Sequence, residues 1–343
     1  MTVLYILCAI LAFGLLVLIH ELGHFLCARA CGVEVKEFAI GMGPKICGWT
    51  SQKYGTQYSL RALPIGGYVS MLGEDEESES ENSFGKKNVW KRIAIVLSGP
   101  AMNLVLGFVV MILLVSLTGS LYSNEVYFHQ EQTQISEANG LADGDRIISV
   151  GGTRVHTRFE VAYEIMRKGI EPLDITVIRN GEEVVLENVI FPTVEDQGIV
   201  FGAVDFYAGE DPYNLGNVLK HSFYRSVSTV KTVIDSVVDL VRGRYGLNAV
   251  SGPVGVTEII VDAAASGFVD FLYILAVITI NLGMFNLFPI PALDGGRLVF
   301  LLIEAVIRRP VNPKVEGYIH AVGMLLLLGL FVVITFKDVL GLF

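Results

Sequence analysis

Long apolar blocks punctuate this chain, and polar segments separate them. Residues 3–27, 93–118, 268–293 and 317–336 are apolar enough, and at about 20 residues or more long enough, to cross a hydrocarbon core as helices. Between roughly 120 and 205 the hydropathy falls and shorter periods take over. Asp143-Gly144 predicts a turn, and Arg146 to Val150 a short strand closed by Gly151-Gly152. Phe159, Ala162, Tyr163 and Met166 recur at helical spacing. Leu173 to Arg179 and Glu182 to Val189 predict a hairpin joined by a type I′ turn at Asn180-Gly181. Farther on, Leu219, Phe223, Val227, Val230, Ile234, Val237 and Val241 form one stripe of an amphipathic helix. That stripe suits the outer membrane interface, the face of the small α+β domain or a partner protein.

Composition agrees with the blocks. With 52% hydrophobic and 17% charged residues among 343, and a mean hydropathy of +0.55, an ordinary soluble enzyme is excluded. The pattern predicts a polytopic α-helical membrane protein of about four transmembrane helices. A net charge of −10 argues against a nucleic-acid partner. The first apolar run has neither a basic leader nor a small-residue cleavage site, so it reads as a retained span. All four cysteines fall in the first 47 residues, which does not suit a disulfide framework. Cys27 and Cys31 have metal-pair spacing, but buried thiols are the commoner meaning.

Lys and Arg set the orientation. They crowd the segment after the first span (Arg29, Lys36, Lys45, Lys53, Arg61, Lys86, Lys87, Lys91, Arg92) and the loop after the third (Arg297, Arg308, Arg309, Lys314). The segment after the second span has none until Arg146. Both basic loops are therefore expected in the cytoplasm, with the 119–205 domain and both termini outside.

The chemistry begins where the first block ends, in His20-Glu21-Leu22-Gly23-His24. Ionisable side chains inside a span are rare and usually functional. At i and i+4 the two imidazoles share a helix face and can take one Zn²⁺, while Glu21 is placed to act as general base on a water. Spans one and three of four run parallel, so their C-terminal ends share a face of the membrane. Span three ends at Asp294, which becomes the third ligand. Asn286 is a candidate neutral donor to the oxyanion or to substrate backbone, with an interhelical hydrogen bond as the plainer reading. Pro289 and Pro291 break the helix and shape the site. His129, His156, His221 and His320 lack a partner at ligand spacing and read as surface or interfacial. Residues 74–81, rich in Glu, read as a solvated, mobile linker. Residues 58–69 predict a β-hairpin whose edge could receive an extended substrate, or else an ordinary loop hairpin.

Taken together, His20-Glu21-Leu22-Gly23-His24, Leu293-Asp294-Gly295 with Asn286 and the two prolines, Ser98-Gly99-Pro100-Ala101-Met102-Asn103, Gly66-Gly67-Tyr68-Val69 and Ser251-Gly252-Pro253 resemble the site-2 protease family of intramembrane zinc metalloproteases. The likeness is to its bacterial RseP type, and it covers essentially the whole chain. Gly140-Leu141-x-x-Gly144-Asp145-Arg146-Ile147-Ile148 and the following Val150-x-Gly152 resemble a PDZ domain, either a peptide binder or a structural cap.

The resemblance implies a zinc-dependent endopeptidase of the bacterial plasma membrane. It would cleave the transmembrane segments of single-span proteins, such as anti-sigma factors or signal-peptide remnants, after an upstream site-1 protease has trimmed them. It further implies a membrane-reentrant hairpin in which Gly66, Gly67, Tyr68 and Val69 hold substrate as a strand, and a PDZ domain that screens substrates by size. Gram-negative members with two tandem PDZ domains differ, because this chain has room for one. The expected organisation is spans one and two with the hairpin (1–118), PDZ domain (119–205), amphipathic helix and connector (206–267), and spans three and four (268–343). The rival reading is a non-proteolytic zinc-binding membrane scaffold, against which Glu21 argues.

Overall fold

The computed structural model describes residues 2–74, 78–128, 134–196, 198–244 and 250–340. His129, and Asp75, Glu76 and Glu77 of the expected linker, lie outside the described residues. The chain divides into two compact units, Met1–Val110 with Gly246–Phe343, and Met111–Tyr245. Among the described residues, four helical stretches are long and apolar enough to cross a membrane: Leu7–Ala30, Val89–Thr118, Phe268–Leu287 and Lys314–Leu340.

In the first unit, α1 (Thr2–Ala30) is apolar nearly all round. It stops because Gly32 turns left-handed, with Val33 N–H on Ala28 O and Gly32 N–H on Arg29 O, the two bonds of a Schellman cap. Strands β1 (Val35–Thr50) and β2 (Gln57–Met71) then pair antiparallel, and each bends part-way. Residues 57–61 pair with both 37–40 and 45–50, and 37–40 pair in turn with 67–71. The hairpin is thus larger than the 58–69 segment suggested, with its turn at 51–56 and residues 67–71 on an outer edge. Ile46, Trp49, Leu60 and Leu63 on these strands are exposed. Helix α2 (Val89–Thr118) carries Pro100 in its interior and begins the second unit with its last turns.

The second unit is a small α+β structure. Strands β3 (Leu121–Tyr127), β4 (Arg146–Val150), β5 (Thr153–Arg154), β6 (Leu173–Arg179), β7 (Glu182–Val189), β8 (Thr193–Asp196), β9 (Ile199–Gly202) and β10 (Tyr207–Asp211) are accompanied by helices α3 (Ile135–Ala138), α4 (Arg158–Lys168) and α5 (Leu215–Val241). The main sheet runs β10-β3-β4-β6-β7, with β5 on β4, and β8 pairs β9. Asn180 and Gly181 both have positive φ, as a type I′ turn requires. Val126, Leu141, Ile147, Val150, Ile165, Ile175 and Val177 form the core. Strand β10 lies beyond the expected 205 boundary because its partner is β3, a long-range pairing with no local signal.

Helix α5 is mounted the other way round from a soluble amphipathic helix. Leu219, Phe223, Val227 and Ile234 of the predicted stripe are exposed, while Ser222, Ser228, Thr229 and Asp239 are buried. The polar face is held by α4: Arg167 pairs with Asp235 at 3.0 Å and Asp239 at 3.1 Å, Tyr163 Oη donates to Asp235 at 3.0 Å, and Lys231 pairs with Glu164.

The chain returns to the first unit with α6 (Pro253–Ser266), α7 (Phe268–Leu287), α8 (Asp294–Ile307) and α9 (Pro313–Leu340). Proline starts α6, and Asp338 of α9 accepts the N–H groups of Gly252 at 2.9 Å and Gly255 at 3.0 Å, so the Ser251-Gly252-Pro253 motif is a capped helix start. The third span ends at Leu287 rather than 293. Phe288, preceding Pro289, is forced into extended backbone (φ −66°, ψ 146°), and a loop runs to Leu293. Asp294 therefore opens a new helix instead of closing the third span.

Candidate active site

His20 and His24 lie one turn apart on α1, both buried, with ring centroids 4.8 Å apart and edge to face. Their Nε2 atoms are 3.2 Å apart. Asp294 Oδ2 reaches the same point, 3.0 Å from His20 Nε2 and 3.2 Å from His24 Nε2. Tetrahedral zinc with ligand bonds of about 2.0–2.1 Å separates its ligand atoms by roughly 3.3 Å, so the triangle has the size that ion demands. Among the described residues this is the group of His, Cys, Asp and Glu side chains that could hold a metal.

The remaining nitrogens of the two imidazoles are occupied. His24 Nδ1 lies 2.8 Å from the carbonyl oxygen of Ile95, to which it can only donate. That leaves Nε2 unprotonated for a metal. Beyond His20 Nδ1, at 3.3 Å, is the amide nitrogen of the fully buried Asn103, whose Oδ1 has no partner. A half-turn of that amide puts Oδ1 on His20 Nδ1–H and frees Nε2 there too. The orphaned oxygen is thus accounted for by the tautomer a metal requires.

Glu21 lines the same cavity as the triangle. Its Oε2 accepts the backbone N–H of Val69 at 3.1 Å, tying the carboxylate to the outer edge of the bent sheet. Gly67 lets that edge close against its own partner strand, since a Cβ there would be 2.7 Å from the Ala39 carbonyl, whereas its 3.7 Å from Glu21 Cγ would be an ordinary contact. Tyr68, Val69 and Met71 line a cavity of about 490 Å³ together with His20, Glu21, His24, Asp294 and His320. Tyr68 Oη donates to Glu37 at 2.6 Å, and Arg61 bonds the same carboxylate at 2.9 Å, which fixes the edge strand. A strand edge whose Val69 and Met71 N–H groups are held by the carboxylates of Glu21 and Glu74 thus shares one wall with the three-ligand site.

A family model described as peptidase family M50 matches residues 8–330. The chain belongs to peptidase family M50. A relative from Clostridium perfringens is 34% identical over 98% of this chain and 99% of its own length. The regulator of sigma-W protease RasP of Bacillus subtilis is 30% identical over 97% of this chain and 98% of its own, and the zinc metalloprotease RasP of Geobacillus kaustophilus 30% over 96% of each.

Two M50 motifs interlock through glycines. A Cβ on Gly23 would be 2.3 Å from the Ser98 carbonyl, and one on Gly99 would be 2.2 Å from His24 Nε2. Ser98-Gly99-Pro100-Ala101-Met102-Asn103 is therefore a seat for the histidines, a role that sequence reading did not assign; Asn103, a polar residue in a span, was the available signal. Of the residues it did single out, Gly66 sits on the sheet near Val17 and Met42. Asn286 is not brought to the cavity wall: its amide donates to Leu282 O, four residues back on α7, at 3.0 Å. His320, read as interfacial, instead lines the cavity. His221 is buried on Asp211 at 2.8 Å, and His156 stacks on Tyr224. The four cysteines are free.

Proposed function

We propose that this M50 peptidase is a zinc-dependent intramembrane endopeptidase that cuts transmembrane segments of single-span membrane proteins already trimmed by another protease. One observation carries the reading: three ligand atoms from α1 and α8 converge to within 3.2 Å beside a carboxylate, on a helix long and apolar enough to span a membrane. His20, His24 and Asp294 hold the metal. Zn²⁺ bound there supplies Lewis acidity, acidifying a water and polarising the scissile carbonyl.

The other steps fall to side chains and backbone. Glu21, held beside the site by Val69 N–H until substrate binds, takes the proton from the attacking water and returns it to the leaving amine. A helical segment hides its peptide groups in its own hydrogen bonds, so it must be drawn out before cleavage. Residues 67–71 offer an edge on which it is held as an added strand once Glu21 and Glu74 yield the N–H groups of Val69 and Met71 to it. The exposed apolar residues of β1 and β2 support a hairpin that dips into the bilayer. Asn286 remains a candidate contact for substrate backbone, reached by a rotamer change.

Residues 119–211, with β10 included, form an extracytoplasmic PDZ domain that screens substrates, 1–118 and 268–343 carry the four spans and the site, and 212–267 connect them. The Lys and Arg bias puts the site toward the cytoplasmic face of a bacterial plasma membrane. The outward stripe of α5 lies in the outer interface. The name of the Bacillus subtilis relative supports anti-sigma factors as the substrate class.

Glu21→Gln tests the mechanism. The variant keeps its zinc and its fold and loses cleavage of a transmembrane reporter by about 10²–10⁴-fold or more, the range for a general base; undiminished cleavage refutes the role. Asp294→Ala lowers zinc per chain, and an unchanged content removes Asp294 from the ligand set.

A further inference from the structure

Asp294 is the first residue of α8, so its aim depends on the six-residue loop before it, 288–293. That loop contains two prolines and has little regular backbone bonding of its own: Ile290 N–H on Phe288 O and Leu293 N–H on Ile290 O. Ala292, two residues from Asp294, has φ +77°, a left-handed conformation that a residue with a Cβ rarely adopts. Such a conformation persists only where the surroundings hold it.

Helix α9 does the holding. The N–H of Ala292 donates to His320 Nδ1 at 2.9 Å, which makes Nδ1 the acceptor and places the ring proton on Nε2. One turn further along α9, Gly323 lies directly under the loop: a Cβ there would be 2.3 Å from Pro291 Cβ and 3.0 Å from its carbonyl. From the other side, Gly295 and Gly296 admit the backbone of Phe288 and Ile290 in the same way. Around them α9 turns outward, with Tyr318, Leu325 and Leu326 about 70% exposed, until Ile334 and Asp338 pack against the start of α6. The face carrying His320 and Gly323 is the one applied to the ligand loop.

We propose that His320 is a positioning residue for the metal ligand Asp294, acting through its Nδ1 on the N–H of Ala292, with Gly323 providing the close contact that lets the bond form. The inference rests on His20, His24 and Asp294 holding zinc. It gives α9 a task in the site although none of its residues belongs to the ligand triangle. Outer partners of metal ligands are worth about 10–100-fold in metal affinity when removed, and that is the loss expected here.

Zinc affinity of the purified full-length protein, measured by competition with a chromophoric chelator, tests the assignment with three substitutions. Asn carries its side-chain oxygen where His carries Nδ1, whereas Gln carries it near Nε2. His320→Asn retains affinity close to the unaltered protein, and His320→Leu and His320→Gln each lose about 10–100-fold. Equal affinity in all three overturns the proposal, and so does rescue by Gln with failure by Asn, which would move the function to Nε2. Thermal unfolding of the zinc-free proteins separates a general loss of stability: a lower melting temperature with zinc affinity intact also overturns it. If His320→Leu does not fold, Gly323→Ala takes its place and must lose zinc with His320 still present. Failure of the unaltered protein to bind zinc would instead refute the metal reading of the site.

Discussion

Replacing Gly99 with alanine puts a methyl group on the imidazole of His24. The added carbon would lie 2.2 Å from Nε2, 2.6 Å from Cε1 and 2.7 Å from Cδ2. Relaxed contacts between such atoms are about 3.5–4.0 Å, so the ring must retreat by roughly 1.3 Å or more. A zinc–nitrogen bond of about 2.0–2.1 Å does not survive that displacement. Retreat also stretches the bond from His24 Nδ1 to the Ile95 carbonyl, now 2.8 Å, on the same helix as Gly99. Overpacking costs about 1–3 kcal/mol, and the better helix propensity of alanine returns about 1 kcal/mol, so the fold persists while the site does not. Zinc affinity is expected to fall about 10–100-fold and reporter cleavage about 100-fold. Gly107→Ala is the control, since the atoms nearest its Cβ would be those of Ile280, with Cγ1 at 2.5 Å, rather than those of a histidine. Metal content of purified protein and cleavage of a transmembrane reporter in membranes read the two effects. Gly99→Ala with zinc and cleavage at the level of the unaltered chain would show that the two helices are not locked as described.

Asn103→Leu removes the acceptor from His20 Nδ1–H and should cost about 10–100-fold in zinc affinity, while Asn103→Asp, which keeps an acceptor, should bind zinc at least as well as the unaltered chain; identical affinities for Leu and Asp contradict the tautomer assignment. The α4–α5 contact should weaken in acid. Burial pushes the Glu164 carboxyl up, but the ammonium groups of Lys168 and Lys231 outweigh it and hold the carboxyl below the usual value. A depressed folded pKa gives stability that is complete above the unfolded value of about 4.3 and is lost as pH falls through the folded one. Hydrogen exchange along α5, corrected for intrinsic rate, should therefore lose protection only below about pH 4.5, and Glu164→Gln should flatten that dependence. Greater protection in acid would reverse the sign.

Much of the site was legible locally because the chemistry is local. A four-residue spacing on a helix puts His20 and His24 on one face whatever surrounds them, and a carboxylate between them in an apolar run has few other uses. Asn180-Gly181 likewise announces its own turn. Asp294 was reached by a coarser route, the parallelism of alternate spans, which named the residue but misjudged its setting. It begins α8, since the prolines end α7 at Leu287.

Apolar periodicity and composition, which depend only on neighbours within a turn or a strand, predicted a membrane chain of about four spans with a pentapeptide of metal-ligand spacing in the first. Every partner distant in sequence was decided by tertiary structure. Asn103 behind His20, Gly99 under His24, the edge of β2 against Glu21 and His320 beneath Ala292 are separated by tens of residues or more, and no periodic pattern encodes which helix faces which. Helix α5 makes the same point in reverse. Its stripe was read correctly as apolar, but ion pairs from α4 bury the opposite face, because a polar face with satisfied charges can pack inward and leave the apolar one for another environment.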